Sequence, residues 1–174
     1  MVLITLMDHK LVKIGSDKVG EVHEILKICG LDMKSKFGLS HWVPPYPLDM
    51  LRRDAIEKDV YAVCDCEQML AVFTIGTKPS SYYDMSIWKN PVESAIYVNR
   101  LGVLPEFQGK GLGTRCMERI EKIAEEMNCF SVRLDIIEKH VKLQDFYGRL
   151  GYQRRGIVKF RDDLLLCLEK VFEK

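Results

Sequence analysis

Three glycines alternate with other residues in Gln108-Gly109-Lys110-Gly111-Leu112-Gly113. Glycine lets an anion approach the main chain closely. A loop of this kind at the start of a helix offers free N–H groups and the positive end of the helix dipole. No Ser, Asp or Asn lies among these glycines to cap the helix itself. The chemistry to expect is the cradling of a phosphate.

The flanking elements must hold the loop at the right place. Before it, Ala95 to Val103 is rich in β-branched and aromatic residues and reads as a strand. After it, Leu112, Cys116, Met117, Ile120, Ile123, Ala124 and Met127 recur at helical spacing on one face. Asn128 is a left-handed stop for that helix. Further elements follow the same logic. Met1 to Met7 and Leu11 to Ile14 read as strands. Asp17 caps a helix whose apolar face holds Val19, Val22, Ile25, Leu26 and Ile28, and Gly30 ends it. Pro44, Pro45 and Pro47 exclude a regular element over Phe37 to Pro47, and Leu48 to Ile56 is a short helix. Tyr61 to Cys64 and Met69 to Ile75 form a hairpin turning near Asp65 to Gln68. Lys78 to Pro91 is a long connection, the kind of loop that often carries function. Phe130 to Ile136 is a strand, His140 to Leu150 a helix ending at Gly151, and Tyr152 to Val158 and Leu164 to Phe172 are strands. The expected fold is α/β: a mixed, largely antiparallel central sheet flanked by helices on both faces.

A chain of 174 residues suits one domain, residues 1–174, that buries roughly 70% of its unfolded surface without disulfide or metal. The net charge of +1 argues against nucleic acid or membrane as a partner recruited by bulk charge. The six cysteines include no CxxC pair, so a zinc cluster is not expected; Cys64 and Cys66 could share a strand face. Scattered cysteines and no export signal read as an intracellular, cytoplasmic protein.

Three glycine-loop chemistries compete. A Walker A loop needs Gly-x-x-x-x-Gly-Lys and then Ser or Thr; here Lys110 lies between glycines and Thr114 follows Gly113. A dinucleotide loop needs Gly-x-Gly-x-x-Gly near the start of a βαβ unit, and this loop is Gly-x-Gly-x-Gly late in the chain. The third option is Gln-x-x-Gly-x-Gly. Leu101-Gly102-Val103-Leu104-Pro105-Glu106-Phe107 followed by Gln108 to Gly113 resembles the acetyl-CoA motif of the GNAT acetyltransferase superfamily. Asp145-Phe146-Tyr147-Gly148-Arg149-Leu150-Gly151-Tyr152 resembles the closing helix of the same family, so the likeness runs from Ile96 to Tyr152. Gly38 to Trp42 with Tyr46-Pro47 further resembles a subgroup of small members.

That resemblance implies acetyl-CoA as co-substrate, its pantetheine arm between two splayed strands and its pyrophosphate on the loop amides. Cofactor contacts fall on Leu101, Val103, Gln108, Gly109, Lys110, Gly111, Leu112, Gly113 and Thr114. The Val103 N–H matches the position that holds the thioester oxygen, and Tyr147 matches the acid that protonates the departing thiolate. His140 stands where the family commonly has asparagine; a cofactor contact, a helix start and a surface role all remain open. The family's base positions fall on Tyr97 and Asn99, and neither is a carboxylate. By alternation Tyr97, Asn99, Leu101 and Val103 share one strand face. A water relay, Glu93, Asp84 or His41 could supply the base. Trp42, Tyr46, Tyr82, Tyr83 and Trp88 could wall the acceptor site or pack beneath loops.

The leading expectation is an N-acetyltransferase acting on a primary amine of a small molecule or peptide by direct attack, with a homodimer left open. The rivals are a non-catalytic acyl-CoA-binding sensor and a nucleotide-binding domain.

Overall fold

The computed structural model describes residues 9–172. The expected strand over Met1 to Met7 lies outside them. The element order is β1 (Lys10–Lys13), α1 (Val19–Phe37), α2 (Leu48–Glu57), β2 (Asp59–Asp65), β3 (Gln68–Gly76), β4 (Ala95–Val103), α3 (Leu112–Glu126), β5 (Ser131–Ile137), α4 (Val141–Arg149), β6 (Gln153–Phe160) and β7 (Asp163–Val171). The strands form one seven-stranded sheet in the order β1-β2-β3-β4-β5-β7-β6. The β1/β2, β5/β7 and β6/β7 pairs are antiparallel and β4/β5 is parallel, so the mixed, largely antiparallel sheet with flanking helices is as expected. The chain divides into two compact units: residues up to 74 with 100–113, and 75–99 with residues from 114 onward.

In the first unit α1 buries Val19, Val22, Ile25, Leu26 and Cys29, a stripe of helical period, against Leu51 of α2, Val60 and Ala62 of β2 and Val72 of β3. Two expectations for α1 fail. Asp17 does not cap it: the N-cap is Lys18 without a side-chain bond, and the Asp17 carboxylate folds back over Gly15. Nor does Gly30 end it. The helix runs on to Phe37 and stops at Gly38, whose φ of 68° and N–H bond to Lys34 form a left-handed cap. Gly30 is there for close approach: a Cβ at that position would sit 2.8 Å from the Trp42 carbonyl oxygen. Ile28 points outward, 43% exposed, because Cys29 and Gly30 occupy the inner face instead. We expect Gly30→Ala to cost about 1–3 kcal/mol through overpacking against main chain. A urea midpoint unchanged from wild type would show that the Trp42 segment yields freely.

The hairpin forms as expected, with Cys66 at φ 51° in its turn. Cys64 is buried and Cys66 exposed, so the turn carries them off any shared face. All six cysteines are free.

In the second unit α3 turns Cys116, Met117, Ile120 and Ala124 fully inward. Met127 is 49% exposed, since the helix ends at Glu126 and Asn128 (φ 54°) turns the chain away. β5 is amphipathic in an unusual sense. Val132, Leu134 and Ile136 alternate with Ser131, Arg133 and Asp135, and by the pleat the polar three share a face. The β5/β7 register sets Arg133 opposite Glu169 and Asp135 opposite Cys167. Arg133 and Glu169 are both fully buried and joined at 2.8 Å.

Candidate active site

The glycine loop lies in the first unit. β4 arrives at it through a distortion: Arg100 sits at φ 51° inside the strand. An extended residue at every step is what makes side chains alternate. Arg100 breaks that phase, so alternation does not place Tyr97 and Asn99 on the face of Leu101 and Val103, contrary to expectation. Arg100 is held there by an ion pair with Asp54 of α2, and its guanidinium lies 4.6 Å from the centre of the Tyr46 ring. Beyond it, Gly102 meets Leu26 and Cys29 of α1 and the Trp42 ring, which turns Leu101 and Val103 to the opposite side.

The Leu104 N–H donates to the Leu70 carbonyl of β3 at 3.0 Å. Successive N–H groups of a strand point to opposite edges, so the Val103 N–H and carbonyl face away from β3. The Val103 carbonyl accepts from the Gln108 side-chain amide at 2.9 Å and from the Cys29 thiol at 3.3 Å. Gln108 therefore ties the end of β4 to the start of the loop. Gly109 has φ 71° and Gly111 φ 82°, backbone that strains any residue with a Cβ. A Cβ at either position would meet nothing within 4 Å, so the space over both is open to a ligand. Leu112 begins α3, and the first N–H groups of a helix have no intrahelical acceptor. Lys110 lies 5.6 Å over the Phe107 ring at the rim. The loop can hold a diphosphate.

The second unit carries Thr114 in the first turn of α3, Tyr147 on α4 and His140 just before it. β4 and β5 pair in parallel from Ala95–Ser131 to Tyr97–Arg133, and there the register stops. Val98 and Leu134 are the first residues beyond that pairing. Tyr147 is 5% exposed, wedged edge-on against Phe146 and Tyr152 at centroid distances of 4.9 and 5.6 Å. Burial first, then the neighbouring Cys116 and Asp135, push its phenol well above the ordinary tyrosine range, so it stays protonated. His140 is the N-cap of α4: its Nδ1 accepts from the Leu143 N–H at 3.4 Å. Burial lowers its pKa and keeps the imidazole neutral, as an accepting Nδ1 requires.

The aromatic candidates separate into two groups. Trp42 and Tyr46 pack edge-on at 6.0 Å in the first unit, where Trp42 covers Gly30 and Gly102 and Tyr46 carries Arg100. Tyr82, Tyr83, Trp88 and Tyr97 cluster in the second. Tyr97 is buried, and its hydroxyl accepts from Arg133 at 2.8 Å. Asn99 is half-buried, the last residue before the Arg100 distortion. Of the candidate bases, Asp84 caps its own turn through both Ser86 groups, which lower its pKa and weaken it as a base. Glu93 is exposed.

Sequence reasoning missed Asp135. It lies on β5, two residues past the last β4/β5 pair, and accepts hydrogen bonds from the Tyr82 hydroxyl at 3.0 Å and from the Tyr83 hydroxyl. Burial raises its pKa against the opposing effect of those two bonds. The signal was present in the polar alternation Ser131, Arg133, Asp135, which resembles a solvated face until the register is known.

A sequence model of the Acetyltransferase (GNAT) family matches residues 49–152. Over 104 residues the chain is 33% identical to the uncharacterised N-acetyltransferase YesJ of Bacillus subtilis strain 168, covering 59% of this chain and 57% of that protein. It is 29% identical over 72 residues to the thialysine N-epsilon-acetyltransferase of Bos taurus, 41% of each. The chain thus spans about half the length of the curated relatives it matches. In three dimensions it resembles a GNAT-family acetyltransferase of Streptococcus agalactiae 2603, with a TM-score of 0.79, 18% identity, and 97% and 98% of the two chains covered.

Proposed function

We propose that this chain, which belongs to the acetyltransferase (GNAT) family, moves an acetyl group from acetyl-CoA to a primary amine of a small molecule or peptide by direct attack. The observation that carries the reading is the loop itself: two glycines at positive φ, nothing standing over them, and a helix N-terminus beginning at the next residue. Those features suit a diphosphate, and the family's acyl donor supplies one.

In this reading Gly109, Lys110, Gly111, Leu112, Gly113 and Thr114 hold the pyrophosphate. Leu101 and Val103 line the pantetheine arm, and the outward Val103 N–H polarises the thioester carbonyl. Gln108 acts by fixing the Val103 peptide, and His140 by starting the helix that carries Tyr147. Tyr147 protonates the departing sulfur. The candidates for acceptor contacts are Tyr82, Tyr97 and Asn99 in the second unit and Trp42 and Tyr46 in the first. The relative named for thialysine acetylates an ε-nitrogen, which favours an amine on a flexible alkyl stem as the acceptor class. Residues 1–174 act as one catalytic domain, in the cytoplasm, alone or as a homodimer.

Coenzyme A release, measured against a panel of primary amines, tests the reading. Acceptor-dependent release supports it; tight acetyl-CoA binding with no release on any amine makes the chain a sensor. We expect Tyr147→Phe to lower kcat by about 100-fold, the usual scale for a positioned proton donor. Its acetyl-CoA Kd should stay within about twofold of wild type, because the lost hydroxyl acts on the leaving group alone. Unchanged kcat would remove Tyr147 from the mechanism.

A further inference from the structure

We propose that Asp135, reached through the Tyr82 hydroxyl, takes the proton from the acceptor ammonium; this rests on the acetyltransferase reading above. Charge balance carries the argument. A carboxylate withdrawn from water costs free energy unless a cation compensates it. Asp54 has Arg100 and Lys58, Glu169 has Arg133 and Arg155, and Glu121 has Lys170. Among the described residues Asp135 has no cation, only two phenols. An incoming ammonium supplies the missing charge.

Position agrees. Asp135 lies two residues past the last β4/β5 pair. Tyr83 is buried and Tyr82 only half-buried, so of the two phenols Tyr82 is the one a solute can approach. Titratable groups face Asp135 from each packed element: Tyr82 and Tyr83 from the loop before β4, Cys167 from β7 and Tyr147 from α4. None is cationic. Burial makes Asp135 a stronger base than a solvated carboxylate.

The proton balance closes. The ammonium N–H gives its proton to the Tyr82 oxygen as Tyr82 passes its own to Asp135, leaving a neutral amine and a neutral carboxylic acid. The nitrogen lone pair forms the C–N bond to the acetyl carbon while the C–S bond breaks. Tyr147 protonates the sulfur and recovers the second nitrogen proton, and Asp135 returns the first to water.

The test is kcat/KM against pH for wild type, Asp135→Asn and Tyr82→Phe, using an amine that the wild type acetylates, with acetyl-CoA Kd measured alongside. Near pH 7 we expect losses of about 100-fold for Asp135→Asn and about 10-fold for Tyr82→Phe. Both losses should shrink to less than threefold near pH 10, where about a quarter of an alkyl amine of pKa about 10.4 is already neutral without help. Tyr147, still protonated there, remains a donor. A deficit that stays constant with pH, or no deficit, overturns the assignment. If Asp135→Asn does not fold, Tyr82→Phe decides, because Tyr83 still anchors Asp135. A wild type that binds acetyl-CoA but acetylates no amine overturns the enzyme reading and this step with it. A wild type that turns over while both variants keep its pH profile overturns this step alone.

Discussion

Gly111→Glu is expected to abolish acetyl-CoA binding while leaving the fold standing. Gly111 sits at φ 82° with open space over its Cα. Inside the protein the substitution meets no atom, so its cost is the left-handed backbone, about 1–2 kcal/mol. Against the ligand the cost is larger. A carboxylate about 5 Å from a phosphate charge, at an effective dielectric of about 20, opposes it by about 3 kcal/mol. That alone is more than 100-fold in Kd. Gly111→Ala separates the two effects, since it carries the strain without the charge. Titration calorimetry on both variants checks the prediction. A Gly111→Glu protein that binds acetyl-CoA within about threefold of wild type would place the diphosphate elsewhere.

The same loop shows why part of the site was legible in the sequence. Its information is local: glycine at positions that need positive φ, a strand before and a helix after. The helix that carries Tyr147 is legible for a similar reason, because its cap and closing Gly151 lie within a dozen residues of one another. At Gly30 and at Arg100, where the structure departs from the sequence reading, the deciding contact is more distant along the chain. Gly30 has the local signature of a helix stop, yet Trp42 passing over it explains why a glycine is there. The face of β4 was misassigned because Arg100 adopts φ 51°, which its residue type does not announce. Asp54 of α2, 46 residues earlier, holds Arg100 in that state.

Asp135 and Arg133 mark the limit of local reading most clearly. In sequence, Arg133 and Asp135 two apart in a strand describe an edge wetted on one side. The β5/β7 register reverses that meaning by placing Glu169 opposite Arg133, and the loop carrying Tyr82, Tyr83 and Trp88 supplies partners to both. Arg133 donates to Glu169, to the Tyr97 hydroxyl and to the Asn90 carbonyl, with its guanidinium 5.2 Å from the centre of the Trp88 ring. The polar face of β5 is therefore the anchor of the loop that presents Tyr82.

Removing that anchor should produce the largest loss of stability in the chain. Arg133→Met keeps most of the side-chain length but strips the charge from a pair in which both members are fully buried. Breaking such a pair from one side costs about 3–5 kcal/mol, because the remaining charge is left inside. Arg155 still faces Glu169 at 2.7 Å, which favours the lower end of that range. The ionised state of Glu169 is part of the same balance. Burial alone would raise its pKa, but the Lys89 N–H, Arg133 and Ser131 together hold it below the ordinary value of 4.5. A carboxylate with a depressed folded-state pKa stabilises the fold above its unfolded value, and that contribution is lost as pH falls through the folded value. In wild type this loss belongs to the range below about pH 4.5. In Arg133→Met one of the groups that depress the pKa is gone, so the acid limb of stability should move to higher pH. Urea unfolding at pH 7 and at pH 5 measures both effects. A variant within 1 kcal/mol of wild type at pH 7, with no steeper decline toward pH 5, would show that the ion pair contributes little and that packing alone holds the loop against β5.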